Sequence, residues 1–446
     1  MSHIQKEMLE LLYITIMNKL YEIKNGKLIY LGYDLTKYAE EYHTPLKICF
    51  LDVITKRVNE LKEAFKIAEE KLNYKRAFVY LNANKANYGY KEIETAFQSA
   101  DGLETSSCYD LKLTKIIMKD SKKYLVCNGY KLQDYVDEII DAYKSNMNII
   151  DVIDSVSEYE MLKKANLPLN VGLRIHIESQ YSLGENDRFG LNDDEFNYIL
   201  NDLKNTKLQL KMIHYHQRGF DYEEAPFKTN FVKVFEKYYV RAAKKYSTVD
   251  SFNMGGGTPL PIDGNFDYPK WATFVLSMLK EIAEKNGLVE PYLFSENGKY
   301  SQKDATVTIY KVVGKKNTNK YPWLIVDGSL LIAMPEHYAL GEPIEVLPIN
   351  DLDKKMNKFC LAGITCDCDD VLFDHHLGYV ELPESDNLYI GLLGTGSYQN
   401  SMNGKGGVHH CLLPEEKDLV IYNKDGKEIV EVRKELQTID DIMKTI

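Results

Sequence analysis

The sequence predicts an α/β protein in which a (β/α)8 TIM barrel over residues 45–300 is followed by a C-terminal all-β domain over residues 301–446. Strand-like runs alternate with amphipathic helical runs from about residue 75 onward. Eight such strand-like runs occur before residue 300, and eight is the strand number of that barrel. After residue 300 the helical periodicity fades, and short strands with turn residues between them take over.

The predicted barrel strands end in small or polar residues. In chain order the runs are RAFVYLNANK, GLETSS, YLVCNG, NIIDVIDS, NVGLRIHI, LKMIHYHQ, SFNMGGG and PYLFSENG. The intervening helical runs include YKEIETAFQSA, KLQDYVDEIIDAYKS, SEYEMLKKA, DDEFNYILNDL and FKTNFVKVFEKYYVRAAKKY. Chemistry in this fold sits at the carboxyl ends of the strands. The candidate site is therefore the set Lys85, Glu104, Asn128, Asp154, Arg174, His214, His216, Gly255–Gly257 and Glu296.

The predicted β domain follows the barrel. Its strand-like runs are ATVTIYKVVGKK, YPWLIVDGSL, PIEVLPIN, KFCLAGITC, LGYVELPE, NLYIGLLGTG and CLLPEEKDLVIYN. The N-terminal residues 1–44, which contain GKLIYLGYDL, are expected to complete this domain.

Composition narrows the class of protein. A chain of 446 residues is long enough for a barrel of roughly 250 residues and a second domain. The formal net charge of −11 argues against a nucleic-acid partner and mildly favours a cationic substrate. No apolar run approaches the ~20 residues of a membrane helix, so no membrane partner is expected. Seven irregularly spaced cysteines and no signal-peptide pattern predict reduced thiols and a cytoplasmic location.

Three side chains and a glycine loop at the strand ends predict a cofactor. A lysine such as Lys85, in FVYLNANKANYGY, is usually a solvated loop residue when considered alone. Here it accompanies Gly255–Gly257, whose backbone N–H groups suit a phosphate, together with His216 and Glu296. Pyridoxal 5'-phosphate requires an amine to bond its aldehyde, a phosphate cradle, a carboxylate for its pyridine nitrogen and a flat group against its ring.

Nine segments carry a resemblance to a known family, in family order over residues ~45 to ~425. They are NANKANYG, GLETSSCYDL, VIDSVSEYEML, LRIHIESQYSLGENDRFG, HYHQRG, MGGGTP, SENGKY, GITCDCDDVL and GTGSYQNSMNG. Together they resemble the fold type III, alanine racemase-like pyridoxal phosphate decarboxylases, which act on ornithine, diaminopimelate or arginine. Segments such as HTPLKI, NGYK, WLIVDGSLL and VLPIN are closest to a bacterial subgroup named arginine decarboxylases.

The resemblance assigns residues to the cofactor. It implies that Lys85 bonds the cofactor aldehyde, that His216 stacks on the ring and that Glu296 pairs with the pyridine nitrogen. The other implied cofactor contacts are Gly255, Gly256, Gly257, Lys299 and Tyr398 at the phosphate, Arg174 near the ring oxygen and Glu104 near the bonded lysine. Asn297 and Lys299 depart from the proline and arginine of the family's E-P-G-R motif. The compact ammonium group of a lysine therefore replaces a guanidinium group that can donate two parallel hydrogen bonds.

The resemblance also assigns residues to the reaction and its substrate. Cys366 would return a proton to the substrate after carbon dioxide leaves, and Asp367 would face the distal cation. Asp370 belongs to the same C-D-x-x-D motif, and Arg218 would contact phosphate or a substrate carboxylate. In the family the C-D-x-x-D segment reaches the other subunit's barrel, so a homodimer is implied.

The implied function is decarboxylation of a basic amino acid, with arginine giving agmatine for polyamine biosynthesis as first choice. Diaminopimelate, ornithine or lysine, in either stereochemistry, are the alternatives, followed by an amino-acid racemase or a non-catalytic decarboxylase regulator. No metal is expected, because the segment from Cys366 to His376 lacks zinc-ligand spacing.

Overall fold

The computed structural model describes residues 20–177, 188–217, 224–260, 266–318, 320–372 and 378–446. Within it the chain forms two compact units. One unit consists of Ile54–Pro259 and Asp267–Ser301 and contains the barrel, and the other consists of the remaining segments. In the described ranges, no helix combines the length and the apolar character that crossing a bilayer requires.

The described chain opens with short elements of the second unit. They are β1 Tyr21–Lys24, β2 Lys27–Tyr30, β3 Tyr33–Asp34, α1 Leu35–Tyr42 and β4 Leu46–Phe50. Strands β1 to β3 form an antiparallel sheet. Helix α1 begins after Asp34, whose side chain accepts hydrogen bonds from the backbone N–H groups of Thr36 and Lys37. This cap satisfies donors that the first helical turn leaves unpaired.

Eight strands close into a barrel, which confirms the predicted fold class. They are β5 Phe78–Ala83, β6 Gly102–Thr105, β7 Tyr124–Cys127, β8 Asn148–Ile153, β9 Asn170–Arg174, β10 Gln209–His214, β11 Ser251–Asn253 and β12 Tyr292–Glu296. All pairs are parallel, and β12 pairs with β5 to close the ring. Side chains two residues apart, such as Val79 and Leu81 or Ile150 and Val152, share one buried cluster with Phe294. That alternation is how barrel strands fill their interior.

Helices separate the strands, and the chain continues into a small helix after the last one. They are α2 Leu51–Leu72, α3 Tyr90–Ser99, α4 Cys108–Met118, α5 Gln133–Lys144, α6 Val156–Ala165, α7 Asp193–Asp202, α8 Glu224–Val234, α9 Val240–Lys245, α10 Tyr268–Lys285 and α11 Lys299–Gln302. Ser107 and Ser155 cap α4 and α6 by accepting from the N–H groups of Asp110 and Glu158. The serines that follow the strands thus begin the helices.

The second unit is built mainly of strands, as predicted. Its further elements are β13 Thr306–Lys316, β14 Trp323–Val326, α12 Leu330–Ala333, α13 Pro335–Leu340, β15 Glu345–Pro348, β16 Met356–Ala362, β17 Val380–Pro383, β18 Tyr389–Leu393, α14 Gln399–Asn403, β19 Lys417–Lys424, β20 Lys427–Lys434 and α15 Ile439–Met443. Strand β4 pairs antiparallel with β13 and parallel with β19. The buried cluster of this unit includes Tyr310, Val326, Leu361 and Ile390.

A fully buried lysine links β8 to helix α6 on the barrel. Lys131 Nζ lies 3.1 Å from Asp151 Oδ1 and 2.9 Å from Glu158 Oε1, and it donates to the carbonyl of Val152 at 2.9 Å. Burial raises the pKa of Glu158 to about 8 although Lys131 opposes the shift. One buried cation therefore holds two carboxyl groups together.

Lys131→Met is expected to destabilise the protein by about 3–5 kcal/mol, because it leaves two buried carboxyl groups without their cation. The midpoint of thermal unfolding should fall by roughly 3–5 °C. Lys144→Met, at an exposed position at the end of α5, is the matched control and should change the midpoint little. Equal midpoints for the two variants would contradict a stabilising role for the buried cluster.

Candidate active site

The carboxyl ends of the strands bring the predicted site residues to one mouth of the barrel. Lys85 follows β5 in the short helical turn Asn84–Ala86, while Glu104 lies on β6 and Glu296 ends β12. The pairing of β5 with both β6 and β12 makes these three neighbours. Lys85 Nζ lies 3.7 Å from Glu104 Oε1, and its side chain is 41% exposed, whereas the Glu104 side chain is buried.

Two amide donors and a histidine nitrogen converge on one oxygen of Glu296. The side-chain amides of Asn128 and Asn253 donate to Oε1 at 2.8 and 2.7 Å, and His214 Nε2 lies 3.2 Å from the same oxygen. Burial raises the pKa of Glu296, but His214, Lys85 and Asn128 outweigh burial and hold that pKa well below its usual range. The result is an ionised, oriented carboxylate inside the barrel mouth.

Asn128 joins the two carboxyl groups of the site. Its amide also donates to Glu104 Oε1 at 2.9 Å. Burial raises the pKa of Glu104 to about 7, with Glu296 adding to the shift and Lys85 opposing it. The pKa values of these two neighbouring carboxyl groups are thus shifted in opposite directions. Glu296 is ionised near neutral pH, and Glu104 is half-protonated.

The raised pKa of Glu104 predicts a pH dependence of stability. The folded pKa of about 7 exceeds the ordinary value of 4.5. Between these values the folded protein holds more protons than the unfolded chain, so its free energy of unfolding falls as the pH rises. Glu104→Gln should remove this fall and stabilise the cofactor-free protein at and above neutral pH. Thermal melts at a series of pH values would show it, with the exposed Glu94→Gln as control; parallel pH curves for the two variants would refute it.

The glycine loop packs against a neutral histidine. The N–H of Gly256 donates to His216 Nδ1 at 3.2 Å, so Nε2 carries the proton of that ring. Burial, assisted by Lys85 and Arg174, lowers the pKa of His216 to about 3. Gly255 and Gly257 adopt φ of 70° and 94°, where a residue with a side chain would be strained. A Cβ at Gly255 would also lie 2.6 Å from His216 Nδ1.

Arg174 is fixed at the end of β9. Its Nη1 lies 3.5 Å from Asp154 Oδ1, which also accepts from the N–H of Gly190 at 3.0 Å. The Arg174 guanidinium sits over the ring of Phe189 at 4.4 Å from the centroid. A flat cation held by a carboxylate and an aromatic face is suited to an anionic ligand atom.

Sequence reasoning missed some residues that shape this site. Asn253 is absent from the predicted set, and His214, which is in it, has no role assigned there; both contact Glu296. Asn297 was noted only as a departure from the family, yet its Oδ1 accepts from Thr258 Oγ1 at 2.5 Å and lies 3.2 Å from Ser295 Oγ. Its buried Nδ2 has no hydrogen-bond partner in the described ranges. The only available signal was the polar residue at each strand end.

The assignments of three other predicted site residues are not tested by the contacts described above. Arg218 falls outside the described residues. Lys299, partly exposed, begins α11. In the second unit, Tyr398 precedes α14 with φ of 63°. These three assignments stay predictions.

The C-D-x-x-D motif of the second unit splits into exposed and buried members. Cys366 is exposed, and Asp367 Oδ2 lies 3.6 Å from His410 Nε2. Asp370 is buried; its Oδ1 accepts from Ser329 Oγ at 3.0 Å and its Oδ2 from Thr365 Oγ1 at 2.7 Å. Both oxygens of Asp370 thus bond within its own unit, and its role toward substrate is untested.

The barrel mouth fits pyridoxal phosphate. Lys85 offers an amine, the ionised Glu296 suits a protonated pyridine nitrogen, and the glycine loop presents backbone without side chains. Two polar atoms of the same site, Glu104 Oε2 and Asn128 Oδ1, are buried without hydrogen-bond partners in the described ranges. A barrel with this set of groups defines a pyridoxal phosphate enzyme.

Comparison with known proteins gives the family. The family described as "Pyridoxal-dependent decarboxylase, pyridoxal binding domain" matches residues 53–302, and the chain belongs to it. The chain is 26% identical over 306 residues to the biosynthetic arginine decarboxylase of Prochlorococcus marinus strain MIT 9515, which covers 63% of this chain and 47% of that protein. It is 27% identical over 307 residues to that of Pseudomonas aeruginosa, covering 64% and 48%. The chain thus spans about half the length of the curated relatives it matches.

Solved structures show the same fold. The biosynthetic arginine decarboxylase of Campylobacter jejuni superposes with a TM-score of 0.84 at 20% identity, covering 97% of this chain and 90% of that one. Diaminopimelate decarboxylase from M. jannaschii gives 0.80 at 22% identity, with 96% and 97% covered. The cofactor class follows from the family, and the barrel with a separate β-rich domain agrees with these neighbours.

Proposed function

We propose that the protein decarboxylates a basic amino acid with pyridoxal phosphate as cofactor, and that arginine is the substrate and agmatine the product. The observation that carries the reaction class is the Glu296 carboxylate, held ionised by two amide donors and His214. Glu296 ends β12, the strand that pairs with the β5 strand preceding Lys85. The names of the relatives support arginine. Diaminopimelate, ornithine and lysine, in either stereochemistry, are the alternatives.

Lys85, Glu296 and His216 would hold the cofactor's aldehyde and ring. When bound, pyridoxal phosphate accepts the electron pair released as the substrate loses carbon dioxide. Glu296 would keep a proton on the pyridine nitrogen, because Asn128, Asn253 and His214 fix its charge and orientation. His216, neutral at physiological pH, would hold the ring without adding a second cation.

The phosphate would rest on backbone N–H groups of Gly255–Gly257, with Lys299 and Tyr398 assigned to it by resemblance. Arg174 is assigned to the ring oxygen and Glu104 to the neighbourhood of Lys85. Arg218 would meet the phosphate or a substrate carboxylate. These groups bind and orient, so that the bond to carbon dioxide is the one aligned for cleavage.

Cys366 would return the proton to the substrate carbon. The neighbouring Cys411 thiol raises the pKa of Cys366, which keeps that thiol in the protonated form that an acid needs. Asp367 would meet the guanidinium of the substrate, and Asp370 supports the same loop. We place this proton donor in the site of a second subunit, so the proposed active form is a homodimer. We propose that this homodimer is cytoplasmic and serves polyamine biosynthesis.

Carbon dioxide release from the cofactor-loaded protein tests the proposal. Arginine, ornithine, lysine and meso-diaminopimelate would be compared, with the first three in both stereochemistries. Fast release from L-arginine alone is expected. Fast release from another of these amino acids would correct the substrate, and no release from any of them would overturn the reaction.

Gly255→Ala is expected to weaken cofactor binding at least about tenfold, because the new Cβ adds backbone strain and displaces His216. Gly287→Ala is the matched control, since Gly287 has nearly the same φ of 67° but nothing within 4 Å of a Cβ. Equilibrium dialysis of the cofactor measures both affinities. Equal affinities in the two variants would remove the glycine loop from the binding site.

A further inference from the structure

Two cysteines and a histidine meet on the second unit, although the sequence separates them. Cys366 Sγ lies 3.3 Å from Cys411 Sγ, and a ring nitrogen of His410 lies within 4.8 Å of both sulfurs. All three residues are exposed. We call Cys366, His410 and Cys411 the thiol–imidazole cluster. The 45-residue separation of the cysteines hides it from any spacing rule.

The donor set of this cluster is the one that zinc prefers. Thiolate sulfur binds zinc at about 2.3 Å and imidazole nitrogen at about 2.0 Å, so tetrahedral ligands lie roughly 3.3–3.8 Å apart. The sulfurs need to move apart by about half an ångström and the imidazole needs to approach, which exposed side chains achieve by small χ rotations. Magnesium and calcium prefer oxygen ligands and do not suit two sulfurs.

Asp367 lies next to the thiol–imidazole cluster, on the side of His410. Its Oδ2 lies 3.6 Å from His410 Nε2, and a carboxylate behind a ligating imidazole fixes the ring and raises its basicity. With His410 Nε2 toward the carboxylate, Nδ1 would be the nitrogen left for the metal. The cluster is exposed in the single chain, so water would supply the fourth ligand, as in zinc sites that are open to solvent.

We propose that the thiol–imidazole cluster is an inhibitory zinc site, with Cys366, Cys411 and His410 as ligands and Asp367 as the carboxylate that orients the histidine. Zinc binding releases the thiol protons and leaves two metal-bound thiolates. The inhibitory effect rests on the proposed function, in which Cys366 donates a proton to the substrate. Metal binding itself does not depend on that function.

Cobalt binding tests the site without any assay of turnover. The reduced, cofactor-loaded protein would be titrated with Co²⁺ under a phosphine reductant that does not bind metals. We expect one equivalent to produce thiolate-to-cobalt charge-transfer absorption and strong visible bands of a four-coordinate ion, both lost on adding Zn²⁺. Cys411→Ser and His410→Ala should each weaken binding at least about tenfold.

Cys368→Ser provides the matched control. Cys368 is exposed and only two residues from Cys366, but its sulfur faces Asp369 Oδ1 at 3.9 Å instead of the cluster. This variant should bind cobalt as the unaltered protein does. Absence of the bands in the unaltered protein, or equal bands in Cys411→Ser, would overturn the site.

Inhibition is measured separately. Zn²⁺ should suppress carbon dioxide release in the unaltered protein and in Cys368→Ser, and Cys411→Ser should require at least about tenfold more zinc. Equal sensitivity of Cys411→Ser would overturn the inhibitory role. A protein that binds cobalt but releases no carbon dioxide would show that the proposed function failed while the metal site stands.

Discussion

Lys85→Ala is expected to lower carbon dioxide release by at least about 10³-fold, because the Lys85 amine is the one assigned to bond the cofactor aldehyde. Lys85 Nζ lies at the barrel mouth beside Glu104 at 3.7 Å. The variant should also lose the visible absorbance of bound cofactor near ~420 nm. Turnover and the absorption spectrum, measured on the same preparation, give two independent results.

The control for this variant is another surface lysine of the same barrel. Lys112, exposed on helix α4, should tolerate alanine with turnover and spectrum unchanged. Circular dichroism would establish that both variants are folded. Normal turnover in Lys85→Ala would remove Lys85 from the chemistry, and loss of turnover with an unchanged spectrum would leave it a positioning role only.

The positions of the strands could be predicted from sequence because each run ends in a small or polar residue. Glu104, Asn128 and Glu296 were all placed at strand ends by this pattern, and the structure finds them joined by one amide. Because the carboxyl ends of all eight strands meet at one mouth of a (β/α)8 barrel, these separate strand ends could be predicted to form one site. The β-rich character of the second unit followed equally from its short runs and turns.

The contacts within the site could not be predicted, because they depend on register and on side-chain rotamers. Asn253 reaches Glu296 since β11 and β12 pair with Asn253 opposite Phe294. His214 ends β10 and points to the same oxygen. A single sequence gives neither the register of parallel strands nor the direction of a polar side chain. The approach of Cys411 to Cys366 is hidden for the same reason.

Glu296→Gln is expected to reduce turnover by about 10²–10³-fold, the scale of losing one oriented electrostatic group in an active site. Glutamine keeps the size of the side chain, and its oxygen can still accept from Asn128 and Asn253. Its NH2 group, however, donates where Glu296 accepts and carries no negative charge. The pyridine nitrogen would then lose the anion that holds its proton.

Cofactor affinity and a matched control variant decide whether the lost charge causes the loss of turnover. Cofactor affinity should change far less than turnover, since Lys85 and the glycine loop remain. Glu290→Gln is the matched control, because Glu290 is also buried, precedes the same strand and lies 3.9 Å from Lys280 outside the site. It should retain turnover. If Glu296→Gln retained turnover as well, the carboxylate would only organise hydrogen bonds within the barrel. Another residue would then have to keep the pyridine nitrogen protonated.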